Sequence, residues 1–184
     1  MLWLPLYLIW IASEVLIAII TRTKQGGGDV RDRGTMLLLW IVIVFSMTLS
    51  GYARYYFETW YPFSPLVRHS GTAVLLAGLV IRLFSVLWLG KAFSANVAIR
   101  ESQKLNQSGA YKFIRHPSYL GLVIIFFAIG LHSGNPVGLA CACVPTTAML
   151  LYRIHVEEAA LVSAFGAEYE GYMGRTKRLI PWVY

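Results

Sequence analysis

The sequence predicts an all-α integral membrane protein with five transmembrane helices, a cytoplasmic C-terminal helix and a pocket formed by its C-terminal half. Three observations carry this. Of the 184 residues, 57% are hydrophobic and 14% charged, a balance too apolar for an ordinary soluble domain. The apolar residues fall into runs close to the ~20 residues a helix needs to cross a hydrocarbon core. The charged residues gather in the short stretches between those runs. The length suits one membrane domain over 1–184, with three N-terminal spans in 1–90 and the chemistry-bearing half in 91–184.

The spans are placed near 2–20, 35–53, 70–90, 118–133 and 135–152. The first lacks a basic start and a small-residue cleavage site, so it reads as a retained helix rather than a signal peptide. The last two are short, and "HSGNP" separates them. Gly134, Asn135 and Pro136 make that a tight turn and the pair a helical hairpin. Glu14 and Arg82 lie within spans, where ionisable groups are costly in lipid. They are assigned to structural pairing or snorkelling. Cys141 and Cys143, two apart in an apolar helix, do not face each other and read as packing residues.

The net charge of +7 is explained by topology rather than by nucleic acid. Loop 21–34 carries Arg22, Lys24, Arg31 and Arg33; segment 91–117 carries Lys91, Arg100, Lys104, Lys112 and Arg115; the tail carries Arg153, Arg175, Lys177 and Arg178. All three fall on one side, expected to be cytoplasmic, with the N-terminus outside. The other side has only Arg54 and Arg68, around the aromatic loop "YARYYFETWYPF". In the tail, Val156, Ala160, Leu161 and Ala164 share a helical face, and Glu157, Glu158, Glu168 and Glu170 lie mostly elsewhere. Gly171 and Gly174 weaken that pattern and Pro181 ends it, leaving an amphipathic helix on the membrane surface.

Reactive side chains concentrate in "GAYKFIRHPSYLG", residues 109–121, and "RIHVEE", residues 153–158. A hairpin brings Tyr119 and Arg153 to the same membrane level, so the two motifs face each other. Arg115 and Arg153 offer forked donors for carboxylate or phosphate. Glu157 and Glu158 offer acceptors; Tyr111, Tyr119, Tyr169 and Tyr172 offer flat surfaces for a purine or a cation. His116 donates or accepts at neutral pH, and Pro117 suits a first helical turn. Spacing alone leaves two readings open: a catalytic pocket, or a basic interfacial anchor beside a solvated acidic face. His69, His116, His132 and His155 form no metal-ligand pattern, and neither a Gly-rich phosphate loop nor a Ser nucleophile elbow is present.

The first motif resembles the G-x-Y-x-x-x-R-H-P-x-Y-x-G signature of the isoprenylcysteine carboxyl methyltransferase family. "RIHVEEAALVSAFGAEYEGYMGRTKRLIP" resembles the R-x-x-x-E-E-x-x-L…F-G-x-x-Y-x-x-Y…P block that follows it. The resemblance covers roughly 88–182, about half the chain. It implies a membrane enzyme using S-adenosyl-L-methionine, with 91–184 as the cofactor-binding and catalytic half. Carried over by residue, it implies that Tyr111, Arg115, His116, Pro117, Ser118 and Tyr119 help enclose the cofactor. Gln103, Lys104, Leu105 and Asn106 match a cofactor-contacting segment, and Asn96 an upstream polar contact. Glu157 matches the acidic cofactor residue, joined by Glu158, and Arg153 the arginine that holds the acceptor carboxylate. Arg153 and Glu157 are therefore the expected catalytic pair.

A carboxylate is ionised at neutral pH and needs no general base to attack a methyl group. Alignment and exclusion of water remain as the enzyme's task. The expected partner is a lipidic or prenylated small molecule reaching the site from the bilayer among membrane lipids. The short chain resembles prokaryotic members, which implies an inner membrane. Rival readings are a phospholipid N-methyltransferase, an NADPH-dependent sterol-type reductase and a non-enzymatic membrane protein.

Overall fold

The computed structural model describes residues 2–21, 29–30, 32, 34–57, 62–90, 93–95, 98–99, 105–181 and 184. Six α-helices follow in order: α1 (Trp3–Thr21), α2 (Thr35–Phe57), α3 (Pro65–Leu89), α4 (Pro117–Ser133), α5 (Pro136–Phe165) and α6 (Ala167–Arg175). A 3-10 turn covers Gly109–Lys112. Two-residue strands Asp29–Val30 and Ala98–Ile99 pair antiparallel between the loops that follow α1 and α3.

Four helices, α1, α2, α3 and α5, are long and apolar enough to cross a membrane; α4, at 17 residues, is shorter. Its length is about 25 Å at ~1.5 Å per residue. The reason α4 tolerates being short and apolar all round is its position. It lies between α3 and α5, with Leu122, Ile125, Phe126 and Ala128 almost wholly buried. Helices pack this closely in lipid where residues are small. A Cβ on Gly121 would stand 2.7 Å from the Arg82 backbone nitrogen, and one on Gly78 would stand 3.0 Å from the Gly121 carbonyl oxygen. The two backbones therefore meet at these glycines, and the core of Leu75, Leu79, Leu122, Ile125 and Phe126 closes around them.

The α4–α5 turn forms as its sequence requires. Gly134 adopts φ 92°, a left-handed conformation open to glycine, and Asn135 caps α5 by accepting from the Gly138 N–H at 2.8 Å. Asn135 also donates to the Ala53 carbonyl, and Ser50 donates to the Gly138 carbonyl, fastening α2 antiparallel to α5. The predicted span at 70–90 starts earlier than expected, at Pro65. Ser64 caps it, and Pro65 supplies the pre-set first turn. The predicted span at 135–152 and the predicted tail helix are one helix running to Phe165, broken by Gly166 at φ 52°.

Candidate active site

The hairpin sets the geometry. His116 occupies the N-cap position of α4, with Pro117 as the first helical residue and Tyr119 in the first turn. Arg153, Glu157 and Glu158 lie on α5 past the end of the predicted span. Residues 153 and 157, one turn apart, share a face. The two motifs meet: His116 Nδ1 stands 3.8 Å from Glu157 Oε2, and His116 Nε2 stands 3.4 Å from Glu158 Oε1. The His116 and Tyr119 rings stack with centroids 5.6 Å apart. Arg153 Nε reaches the Tyr119 hydroxyl at 3.5 Å.

The two adjacent glutamates behave differently. Glu158 is buried and saturated: Oε1 accepts from Arg115 Nε at 2.9 Å, and Oε2 accepts from Arg178 Nε at 2.9 Å. Glu157 is partly open, and its Oε2 has no hydrogen-bond partner among the described residues. The Tyr169 hydroxyl is likewise buried and without a partner among them, and it lies within the field of both carboxylates. Burial, then Glu158 and Glu157, push the Tyr169 phenol well above its ordinary range. Burial first, and Glu157 next, do the same to Tyr111. Tyr172 is pushed up to about 12 by burial against the pull of Arg115. All three tyrosines stay neutral donors. Tyr172 spends its proton on the Tyr111 carbonyl at 2.6 Å, and Tyr111 donates to the Ser85 carbonyl at 3.3 Å.

Arg115, expected among the cofactor contacts, turns its donors inward. Besides Glu158 it bonds the Met173 carbonyl at 3.2 Å and the Thr176 carbonyl, so it ties α4's foot to α6 and the tail. Pro117 and Ser118 are buried at the same foot. Asn106 accepts from the Ser108 backbone and hydroxyl, shaping the approach to the 3-10 turn, and Leu105 precedes it half-buried. Asn96, Gln103 and Lys104 lie outside the described residues.

Behind Tyr119 and Arg153 a cavity of ≈ 50 Å³ opens among α1, α2, α3, α4 and α5, with Trp10, Ile17, Leu39, Trp40, Ile43 and Leu122 on its apolar walls. Its volume admits a few water molecules, so an acceptor must part the helices to enter. The polar end was only half legible. Arg82 pairs with Glu14, one of the two roles the sequence left open, through Nε and Nη2 at 2.9 Å each. Both residues also line the cavity, and Arg82 Nη1 is buried with no hydrogen-bond partner among the described residues. The signal was an acid and a base placed alone in apolar spans. Arg153 is held from α2 as well: Nη1 bonds Thr35 at 3.2 Å and Asp32 at 3.4 Å, and Nη2 bonds the Ala95 carbonyl at 2.7 Å. Sequence reasoning did not find Asp32 and Thr35, because their only local signal is a helix cap. Thr35 donates to Asp32 at the start of α2.

An acidic and aromatic cluster thus lies beside a cavity with apolar walls that Arg82 and Arg153 also line. Residues 71–163 match the isoprenylcysteine carboxyl methyltransferase (ICMT) family, and the chain belongs to that family. It is similar to protein-S-isoprenylcysteine O-methyltransferase B of Arabidopsis thaliana, with 29% identity over 119 residues, 64% of this chain and 60% of the relative. It is also similar to methanethiol S-methyltransferase 1 of Bradyrhizobium diazoefficiens, with 39% identity over 72 residues, 39% of this chain and 24% of the relative. The solved structure of a eukaryotic intramembrane Ras methyltransferase ICMT superposes with a TM-score of 0.61 at 25% identity, covering 80% of this chain and 53% of that one. The chain thus spans 60% or less of the length of each of these proteins. The fold is that of an integral membrane, all-helical ICMT-like protein.

Proposed function

We propose that the protein is a membrane methyltransferase that binds S-adenosyl-L-methionine at the His116–Glu157 cluster. It passes the methyl group to an acceptor lying in the cavity behind Tyr119 and Arg153. One observation carries this reading: Glu157 Oε2 and the Tyr169 hydroxyl, two polar atoms without hydrogen-bond partners among the described residues, sit at the loop-side cluster. A buried polar atom left so is costly unless a ligand completes it. The cofactor carries an ammonium and a diol that suit Glu157, and a purine and a sulfonium that suit tyrosine faces. His116, Pro117, Ser118, Tyr119, Tyr111, Leu105 and Asn106 would enclose it, with Asn96, Gln103 and Lys104 supplied by the segment before the 3-10 turn. Glu158 and Arg115 brace the cluster from behind. When bound, the cofactor supplies an electrophilic methyl group.

The chain's own contribution is placement. A carboxylate acceptor is already ionised, so the site needs to orient an oxygen and keep water away. Arg153, steadied by Tyr119, Thr35 and Ala95, faces the acceptor, and the buried Nη1 of Arg82, without a hydrogen-bond partner among the described residues, offers it a further donor. The apolar walls suit an isoprenylated cysteine-like or other lipidic molecule sliding in from the bilayer, and α1 packs little against α2 along that route. We take α1–α5 as five crossings, with the N-terminus outside and the cluster on the cytoplasmic face of a prokaryotic inner membrane. A thiol acceptor is the second reading. Glu14 and Asp32 already balance the two guanidinium groups, which favours a neutral partner, and one relative bears the name of a thiol S-methyltransferase.

The test is binding of radiolabelled S-adenosylmethionine to purified protein, with NADPH as the contrasting probe. Cofactor binding that His116→Ala and Glu157→Ala each weaken by about tenfold or more is expected; NADPH binding instead would overturn the reading. Mass spectrometry of a lipid extract incubated with protein and deuteromethyl-labelled cofactor then separates carboxyl from thiol acceptors.

A further inference from the structure

The segment after α6 does more than trail from the membrane surface. It lies beside the foot of α4 in a parallel bridge, Ile114 opposite Lys177. The Arg115 N–H donates to the Lys177 carbonyl at 2.7 Å, the His116 N–H to the Arg178 carbonyl at 3.0 Å, and the Lys177 N–H to the Phe113 carbonyl at 3.2 Å. Arg178 then reaches across to Glu158 Oε2, while Glu158 Oε1 receives Arg115 and His116. Its guanidinium also lies over the Tyr184 ring at 5.4 Å. One residue thus holds His116 twice, by its carbonyl on the backbone and by its guanidinium on the carboxylate that orients the imidazole.

We infer that Arg178 is a positioning residue for cofactor binding: it fixes Glu158, and through Glu158 it sets the His116 ring toward Glu157 and the ligand. A charged hydrogen bond lost from a partly exposed pair lowers affinity by roughly tenfold. The inference rests on the cofactor reading given above, and it also makes a claim about the protein without ligand.

The experiment uses the full chain in detergent with S-adenosylhomocysteine as the probe. Titration calorimetry gives its affinity for the unaltered protein, Arg178→Ala, Arg178→Lys and Leu179→Ala. Leu179 is buried in the same segment, and its apolar side chain offers Glu158 no hydrogen bond. Arg178→Ala is expected to weaken binding about tenfold with little change in melting temperature, and Arg178→Lys to restore part of it. Leu179→Ala is expected to lower the melting temperature more than the affinity. Amide exchange without ligand is expected to quicken at Arg115 and His116 in Arg178→Ala. Unchanged affinity in Arg178→Ala overturns the inference and leaves the cofactor reading intact, as does a loss of affinity that merely follows the melting temperature in all three variants. No binding by the unaltered protein overturns the cofactor reading, and unchanged exchange at His116 overturns the positioning claim whatever the ligand.

Discussion

Glu157 and Glu158 are neighbours with opposite surroundings. Successive residues on a helix point about 100° apart, so one turns into a cage of Arg115, His116 and Arg178 while the other keeps a buried oxygen without a hydrogen-bond partner among the described residues. Glu157→Ala is expected to weaken cofactor binding by about 10–100-fold, since a charged hydrogen bond contributes ~1.5–3 kcal/mol; calorimetry checks it. Arg153→Ala is expected to cost methyl transfer far more than cofactor binding, because the residue lines the cavity beside Tyr119. Equal loss of both in a variant that still folds would remove its acceptor role. The sequence showed that a Glu-Glu pair stood opposite an Arg-His-Pro, and the hairpin brings them together. It did not show which glutamate is saturated, because that depends on Arg178, twenty residues further on.

Helix positions were legible where apolar runs were unbroken and obscure where tertiary packing supplied the ends. α1 and α4 fall within a residue of their expected bounds because apolar composition alone marks them. α3 begins five residues early because Ser64 and Pro65 start it ahead of the charged Arg68. α5 passes through Pro145 without ending. An internal proline costs a hydrogen bond, but neighbouring helices tolerate it in membranes. The closest helix contact, between α3 and α4, rests on Gly78 and Gly121. Gly121→Leu forces side-chain atoms into the Arg82 backbone and is expected to destabilise by about 1–3 kcal/mol or more, read as a lowered melting temperature in detergent. Asn135→Ala, which removes the α5 cap, is expected to cost ~1 kcal/mol.

At the scale of the molecule, the proposed five crossings would gather the basic segments of the sequence on one side, as the positive-inside pattern expects. Lys112 and Lys177 are accordingly expected to react with a membrane-impermeant amine reagent only when the cytoplasmic side is exposed. Labelling from outside in intact cells would invert the topology. What the sequence withheld at this scale is long-range closure. The bridge between 114 and 177 and the clasp of Arg153 by Asp32 and Thr35 join segments too distant for any local pattern to pair.

That clasp has a practical consequence. The stretch that matches the family, residues 71–163, contains Arg153 but none of the α2 atoms that hold its Nη1. An excised C-terminal half would therefore carry the signature and lose the register of its most buried cation. Minimal versions of this scaffold must keep the helix that begins at Thr35.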